Sequence, residues 1–106
     1  MNDGLKSKID DFVKSKPVAI FMKGSPDFPM CGFSARACEV LFAAGAKPED
    51  LASCDVLEND DMRSGVKKYT QWPTLPQVFV RGQFVGGCDV LSEMYENGEL
   101  QKLLQN

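Results

Sequence analysis

The chain has no histidine, no apolar run long enough to cross a membrane and no Cys-x-x-Cys pair. Without histidine, most catalytic triads and most zinc sites are excluded. Residues 31–34 read Cys-Gly-Phe-Ser, so Ser34 stands where a dithiol would carry its second sulfur. A lone thiol cannot close a local disulfide. It can form a mixed disulfide with an external thiol, or act as one ligand of a metal centre that other molecules complete. The net charge is −3 and no long basic run occurs, which disfavours nucleic acid as a partner. The first residues form no secretory or organelle signal, although a removed presequence would leave no trace.

What is present reads as one soluble domain over residues 1–106, with 43% hydrophobic and 25% charged residues. A chain of this length buries a working core without staples. The four cysteines, Cys31, Cys38, Cys54 and Cys88, are therefore read as reduced thiols.

Leu5, Ile9, Phe12 and Val13 recur at helical spacing and predict an amphipathic helix over about residues 4–15, closed before Pro17. Val18 to Met22 is a continuous apolar run, as in a strand buried on both faces. A loop from Gly24 to Pro29 delivers Met30 and Cys31. Phe33, Ala37, Val40, Leu41 and Ala44 then mark the inner face of a second helix, with Gly45 at its end. A short strand is expected at roughly residues 53–56. Asn59 or Asp60 caps a third helix running to about Tyr69. Val78–Val80 and Phe84–Val85, joined through Arg81-Gly82-Gln83, predict a β-hairpin. A fourth helix starts at Cys88-Asp89 with Asp89 as its N-cap, and Leu100, Leu103 and Leu104 mark a last short one. The order is α-β-α-β-α-β-β-α-α. With a right-handed crossover between the first two strands, it yields an α/β fold: a four-stranded mixed sheet flanked by helices.

Cys31 lies between a loop and a helix, where free backbone N–H groups and the helix dipole favour thiolate. Lys23, at the end of the first strand, adds positive charge; its plain alternative is a solvated lysine. Phe33 can shield the sulfur, although an aromatic on a helix face more often belongs to the core. Pro76, in Thr74-Leu75-Pro76, can adopt the cis form and leave the Leu75 backbone to pair with an extended peptide; the alternative is an ordinary turn. The amides at Gly86-Gly87-Cys88-Asp89 suit a carboxylate and the Asp89 side chain suits an ammonium; a simple N-cap is equally compatible. Arg63 can hold a second carboxylate or stand as a surface arginine. Cys38 and Cys54 read as packing residues.

Four motifs in order now resemble one family: Met22-Lys23-Gly24-Ser25-Pro26, Cys31-Gly32-Phe33-Ser34, Trp72-Pro73-Thr74-Leu75-Pro76-Gln77 and Gly86-Gly87-Cys88-Asp89. The chain is similar to monothiol glutaredoxins of the Cys-Gly-Phe-Ser class, and among these to the single-domain glutaredoxin-5 type of mitochondria. The resemblance implies a thioredoxin-like fold and glutathione binding. Lys23 and Arg63 would engage the glycine-end carboxylate, the Leu75 backbone before cis-Pro76 would pair with the peptide's cysteine, and Cys88 and Asp89 would hold the γ-glutamyl end. Leu75 replaces a commoner aromatic or isoleucine, a change that a backbone contact tolerates.

An all-thiolate [2Fe-2S] cluster needs four sulfurs, and each chain offers Cys31 alone. Two chains and two glutathiones supply the set, so a cluster-bridged homodimer is expected. The resemblance further implies transfer of the cluster to apo iron-sulfur proteins, partnership with BolA-like proteins, and a mitochondrial matrix location, with cytoplasm or plastid as alternatives. The competing expectation is a glutathione-dependent thiol–disulfide oxidoreductase that deglutathionylates proteins, with Cys31 as catalytic nucleophile and Cys88 as a candidate resolving thiol.

Overall fold

Val18–Met22 is the strand on which the rest is assembled. In the computed structural model, which describes residues 1–105, all five of its residues are buried. This strand, β1, pairs in parallel with β2 (Leu51–Asp55) and antiparallel with β3 (Gln77–Val80); β3 pairs antiparallel with β4 (Gln83–Gly86). The sheet order is β2-β1-β3-β4. Five helices accompany it: α1 (Asp3–Lys14), α2 (Gly32–Ala43), α3 (Asp60–Thr70), α4 (Cys88–Glu96) and α5 (Glu99–Gln105).

Alternation along β1 divides the core into two layers. Val18, Ile20 and Met22 face Ala37, Leu41, Leu91 and Leu100 from α2, α4 and α5. Ala19 and Phe21 face Ile9, Val13, Met62 and Val66 from α1 and α3. The second layer is the more aromatic, with Phe21 edge-on to both Phe12 and Phe79 at centroid separations of 5.0 and 5.8 Å. Tyr69 of α3 donates a hydrogen bond to Asp10 of α1 and ties these helices across that layer.

The expected element order stands, with local corrections. The second strand begins at Leu51, two residues before the expected start, because Leu51 buries its side chain against the α2 layer. A 3-10 turn at Pro48–Asp50, not foreseen, leads into it. Phe33 does not join the inner face of α2: it is exposed, while Ala37, Val40, Leu41 and Ala44 are buried as expected. The N-cap of α4 is Gly87 rather than Asp89, which stands one residue inside the helix and makes no capping bond. Asn59 does cap α3, accepting from Met62 N–H at 3.1 Å.

Candidate functional site

The C-terminal end of β1 opens into a loop that folds back on itself before α2. Met30 N–H donates to Lys23 O at 2.8 Å, and Ser25 and Phe28 exchange backbone bonds. Asp55, at the end of β2, accepts from Gly24 N–H at 2.9 Å and from Leu57 N–H at 3.0 Å, pinning the loop to the neighbouring strand. Gly24 has φ +89°, and a Cβ there would lie 2.4 Å from Phe28 O, so a side chain cannot be accommodated without moving backbone.

This loop places Cys31 as the N-cap of α2. Its sulfur takes the position a serine or aspartate oxygen usually occupies, accepting from Ser34 N–H at 3.4 Å. Ser34 Oγ lies 3.4 Å from the same sulfur and accepts from Lys23 N–H at 3.1 Å. Ser34 is fully buried. The residue that replaces a second thiol thus joins the end of β1 to the first thiol. Burial pushes the Cys31 pKa up. The Ser34 hydroxyl, the Ser34 and Phe33 amides and the Lys23 charge together outweigh that and leave it below the ordinary thiol value. The other three thiols shift the opposite way. Burial raises Cys38 to about 11, and burial with a neighbouring carboxylate raises Cys54 and Cys88.

A cleft of about 440 Å³ opens beside the thiol. Lys23, Arg63, Leu75, Pro76, Cys88 and Asp89, six of the seven residues singled out from sequence, line it. Cys31 does not line the cleft but stands at its margin: the Lys23 charge acts on its sulfur, and Cys31 in turn acts on Cys88. The Leu75–Pro76 bond is cis. Gly87 packs against this turn so closely that a Cβ would lie 3.1 Å from Pro76 O.

Lys67, Trp72, Pro73 and Val90 also line the cleft and were not read from the sequence as site residues. Lys67 follows Arg63 by one helical turn, and that spacing puts two cations on one face of α3. Trp72 was marked only as the first residue of a family motif. Phe33, weighed above as a possible shield for the sulfur, does line the cleft. An exposed apolar collar surrounds the thiol, with Phe28 78%, Met30 67% and Phe33 66% accessible. Among the described residues no helix is long and apolar enough to cross a membrane. None of them form a cluster of three or more metal-ligating side chains of the His, Cys, Asp and Glu types.

A sheet ordered β2-β1-β3-β4, a thiol capping the helix after the central strand and a cis-proline turn across from it define the class: a thioredoxin-like thiol protein. The glutaredoxin family profile matches residues 18–85. Monothiol glutaredoxin-5 of Lachancea kluyveri mitochondria is 46% identical over 101 residues, 95% of this chain and 71% of that protein. Glutaredoxin 4 of Escherichia coli K12 is 48% identical over 98 residues, 92% of this chain and 83% of that protein. The solution structure of reduced apo GrxS14 from poplar superposes with a TM-score of 0.81 at 44% identity, covering 95% of this chain and 90% of that one. A buckwheat glutaredoxin–glutathione complex superposes with a TM-score of 0.82 at 25% identity, covering 99% and 94%. The chain belongs to the glutaredoxin family, in its monothiol branch.

Proposed function

We propose that this protein binds glutathione and, as a homodimer, carries a [2Fe-2S] cluster that it delivers to apo iron-sulfur proteins. The observation that carries the reading is that Cys31 is alone. Of four thiols it is the one held toward thiolate, and Ser34 occupies the place of a local partner sulfur. A cluster ligated by Cys31 must draw its remaining sulfurs from a second chain and from bound thiols.

The cleft suits glutathione group by group. Glutathione has two carboxylates, one ammonium and one thiol. Lys23, Arg63 and Lys67 offer cations for the glycine-end carboxylate. The α4 N-terminus has no side-chain cap. The amides of Cys88 and Asp89 are thus left for the γ-glutamyl carboxylate, with the Asp89 side chain for the ammonium. The Leu75 backbone, beside cis-Pro76, runs where an extended peptide cysteine would pair. That a related glutaredoxin of the same fold forms a complex with glutathione supports this pose. Thiols held without covalent bonds make the cluster exchangeable, as a carrier requires. The family resemblance adds BolA-like proteins as partners. The Lachancea kluyveri relative is named mitochondrial and the Escherichia coli one is not. A matrix location is part of the proposal.

Anaerobic reconstitution with iron, sulfide and glutathione tests the reading, followed by absorption spectroscopy and mass in solution. The expected result is an iron–sulfur chromophore on a dimer; a colourless monomer overturns it.

A second reading is favoured by the thiolate character of Cys31, the one cysteine of the four held below the ordinary thiol value. The Cys31 thiolate would attack the glutathione sulfur of a glutathionylated protein, forming Cys31–S–S–glutathione and releasing the protein thiolate. A second glutathione thiolate would then attack the glutathione sulfur, giving glutathione disulfide and restoring the Cys31 thiolate. Turnover of a glutathionylated peptide by a colourless monomer would select this route.

A further inference from the structure

Only two polar side chains are fully buried among the described residues, Ser34 and Gln77. Ser34 serves the thiol. Gln77 opens β3, and its side-chain amide turns back under the preceding loop instead of packing with the core. Gln77 Nε2 donates to Trp72 O at 2.9 Å and to Thr74 O at 3.1 Å, and Gln77 Oε1 accepts from Thr70 Oγ1 at 2.8 Å. Thr70 Oγ1 also accepts from Trp72 N–H at 3.1 Å. Both amide hydrogens and the amide oxygen are therefore used, and every bond is made with Thr70, the last residue of α3, or with the loop between it and β3.

A buried amide whose two N–H groups both hold one loop, and whose oxygen is held from the helix end before it, dictates that loop's path. The loop is the wall of the cleft formed by Trp72, Pro73, Thr74, Leu75 and Pro76. We propose that Gln77 is a positioning residue for ligand binding. It touches no ligand itself, but it sets the path of this wall and so the register in which the Leu75 backbone and the Trp72 ring meet an extended peptide thiol. This rests on the glutathione reading above. The alternative, a purely scaffolding amide, predicts that its loss lowers stability and leaves the affinity of the folded protein alone.

Gln77→Met keeps the volume and removes all three bonds. Trp72 is the sole tryptophan and lines the cleft, so its emission reports both the wall and its occupancy. Titration of the folded variant with glutathione, followed by Trp72 fluorescence and checked calorimetrically, is expected to show affinity weakened by about tenfold, the order expected from losing a few net hydrogen bonds. Its ligand-free Trp72 emission should be shifted, while the pH profile of Cys31 alkylation stays that of wild type, because Ser34 and the α2 amides are untouched. Equal glutathione affinity in wild type and folded Gln77→Met overturns the proposal while leaving the glutathione reading intact. No binding by wild type overturns both. Should Gln77→Met not fold, Thr70→Val removes, from a half-buried position, the hydroxyl that donates to Gln77 Oε1 or Val66 O and accepts from Trp72 N–H. It is expected to weaken binding by about threefold on the same net hydrogen-bond scale, and an unchanged affinity there also overturns the proposal.

Discussion

The two walls of the cleft are built in opposite ways. The thiol wall, residues 23–34, is held by its own backbone bonds at the end of β1 and by the Asp55 carboxylate at the end of β2, and it displays apolar side chains outward around a half-buried sulfur. The proline wall, residues 70–77, is held from beneath by one buried amide and meets the α4 N-terminus at Gly87. The first arrangement controls a charge state: every bond to Cys31 favours its thiolate. The second controls a shape, since none of its bonds reaches a titrating group. Under the proposed function, reactivity belongs to the first wall and recognition to the second, with Lys23 at the seam between them, lining the cleft and acting on the sulfur.

The largest effect expected from breaking this division is at the sulfur. Cys31→Ser should abolish the reconstituted chromophore and the dimer together; an intact cluster in that variant, seen by absorption, removes Cys31 as ligand. Next is the loop that carries it. Gly24→Ala forces a Cβ against Phe28 O and Met30 N at a φ of +89°. It should cost about 2 kcal/mol or more in chemical denaturation and slow Cys31 alkylation as the cap is displaced.

Ser34→Ala sharpens the comparison. It takes a donor from the sulfur and an acceptor from Lys23 N–H. The half-titration point of Cys31 alkylation should move up toward the ordinary thiol value, so labelling at neutral pH slows. The buried, unpaired amide should cost about 1–3 kcal/mol in denaturation. Glutathione affinity measured with the fully protonated thiol should stay near wild type; a loss as large as that of a proline-wall variant would show that the two walls do not act separately. The smallest effect is at the seam's far side. Lys67→Ala should weaken glutathione binding by about threefold at low salt and less at high salt, with the alkylation profile unchanged.

The fold was largely legible because its signals are local. The apolar run at Val18–Met22, the helical spacing in α1 and α2, and the hairpin around Arg81-Gly82 each follow from a periodicity of side chains. Phe33 was misassigned to the core because periodicity cannot tell the first turn of a helix, which projects past the sheet, from later turns that lie on it. Asp89 was misplaced as the cap because Gly87 leaves no side-chain signal of its own. Lys23 and Arg63 were weighed as cations from the residues themselves before the resemblance gave them a carboxylate, whereas Lys67 needed the cleft to be seen, although its spacing from Arg63 was already present.

By itself the sequence determined the lone thiol, the strand and helix order, and the family motifs, all of which are properties of neighbouring residues. Only the tertiary structure decided what Ser34 and Gln77 do. In one dimension each stands in a motif, but nothing there says which groups it bonds. Ser34 gains meaning because β1 ends against it, and Gln77 because the loop before it turns back over its amide. Their hydrogen bonds exist only once water has been excluded by packing, and a buried polar group takes whatever partners the fold brings to it.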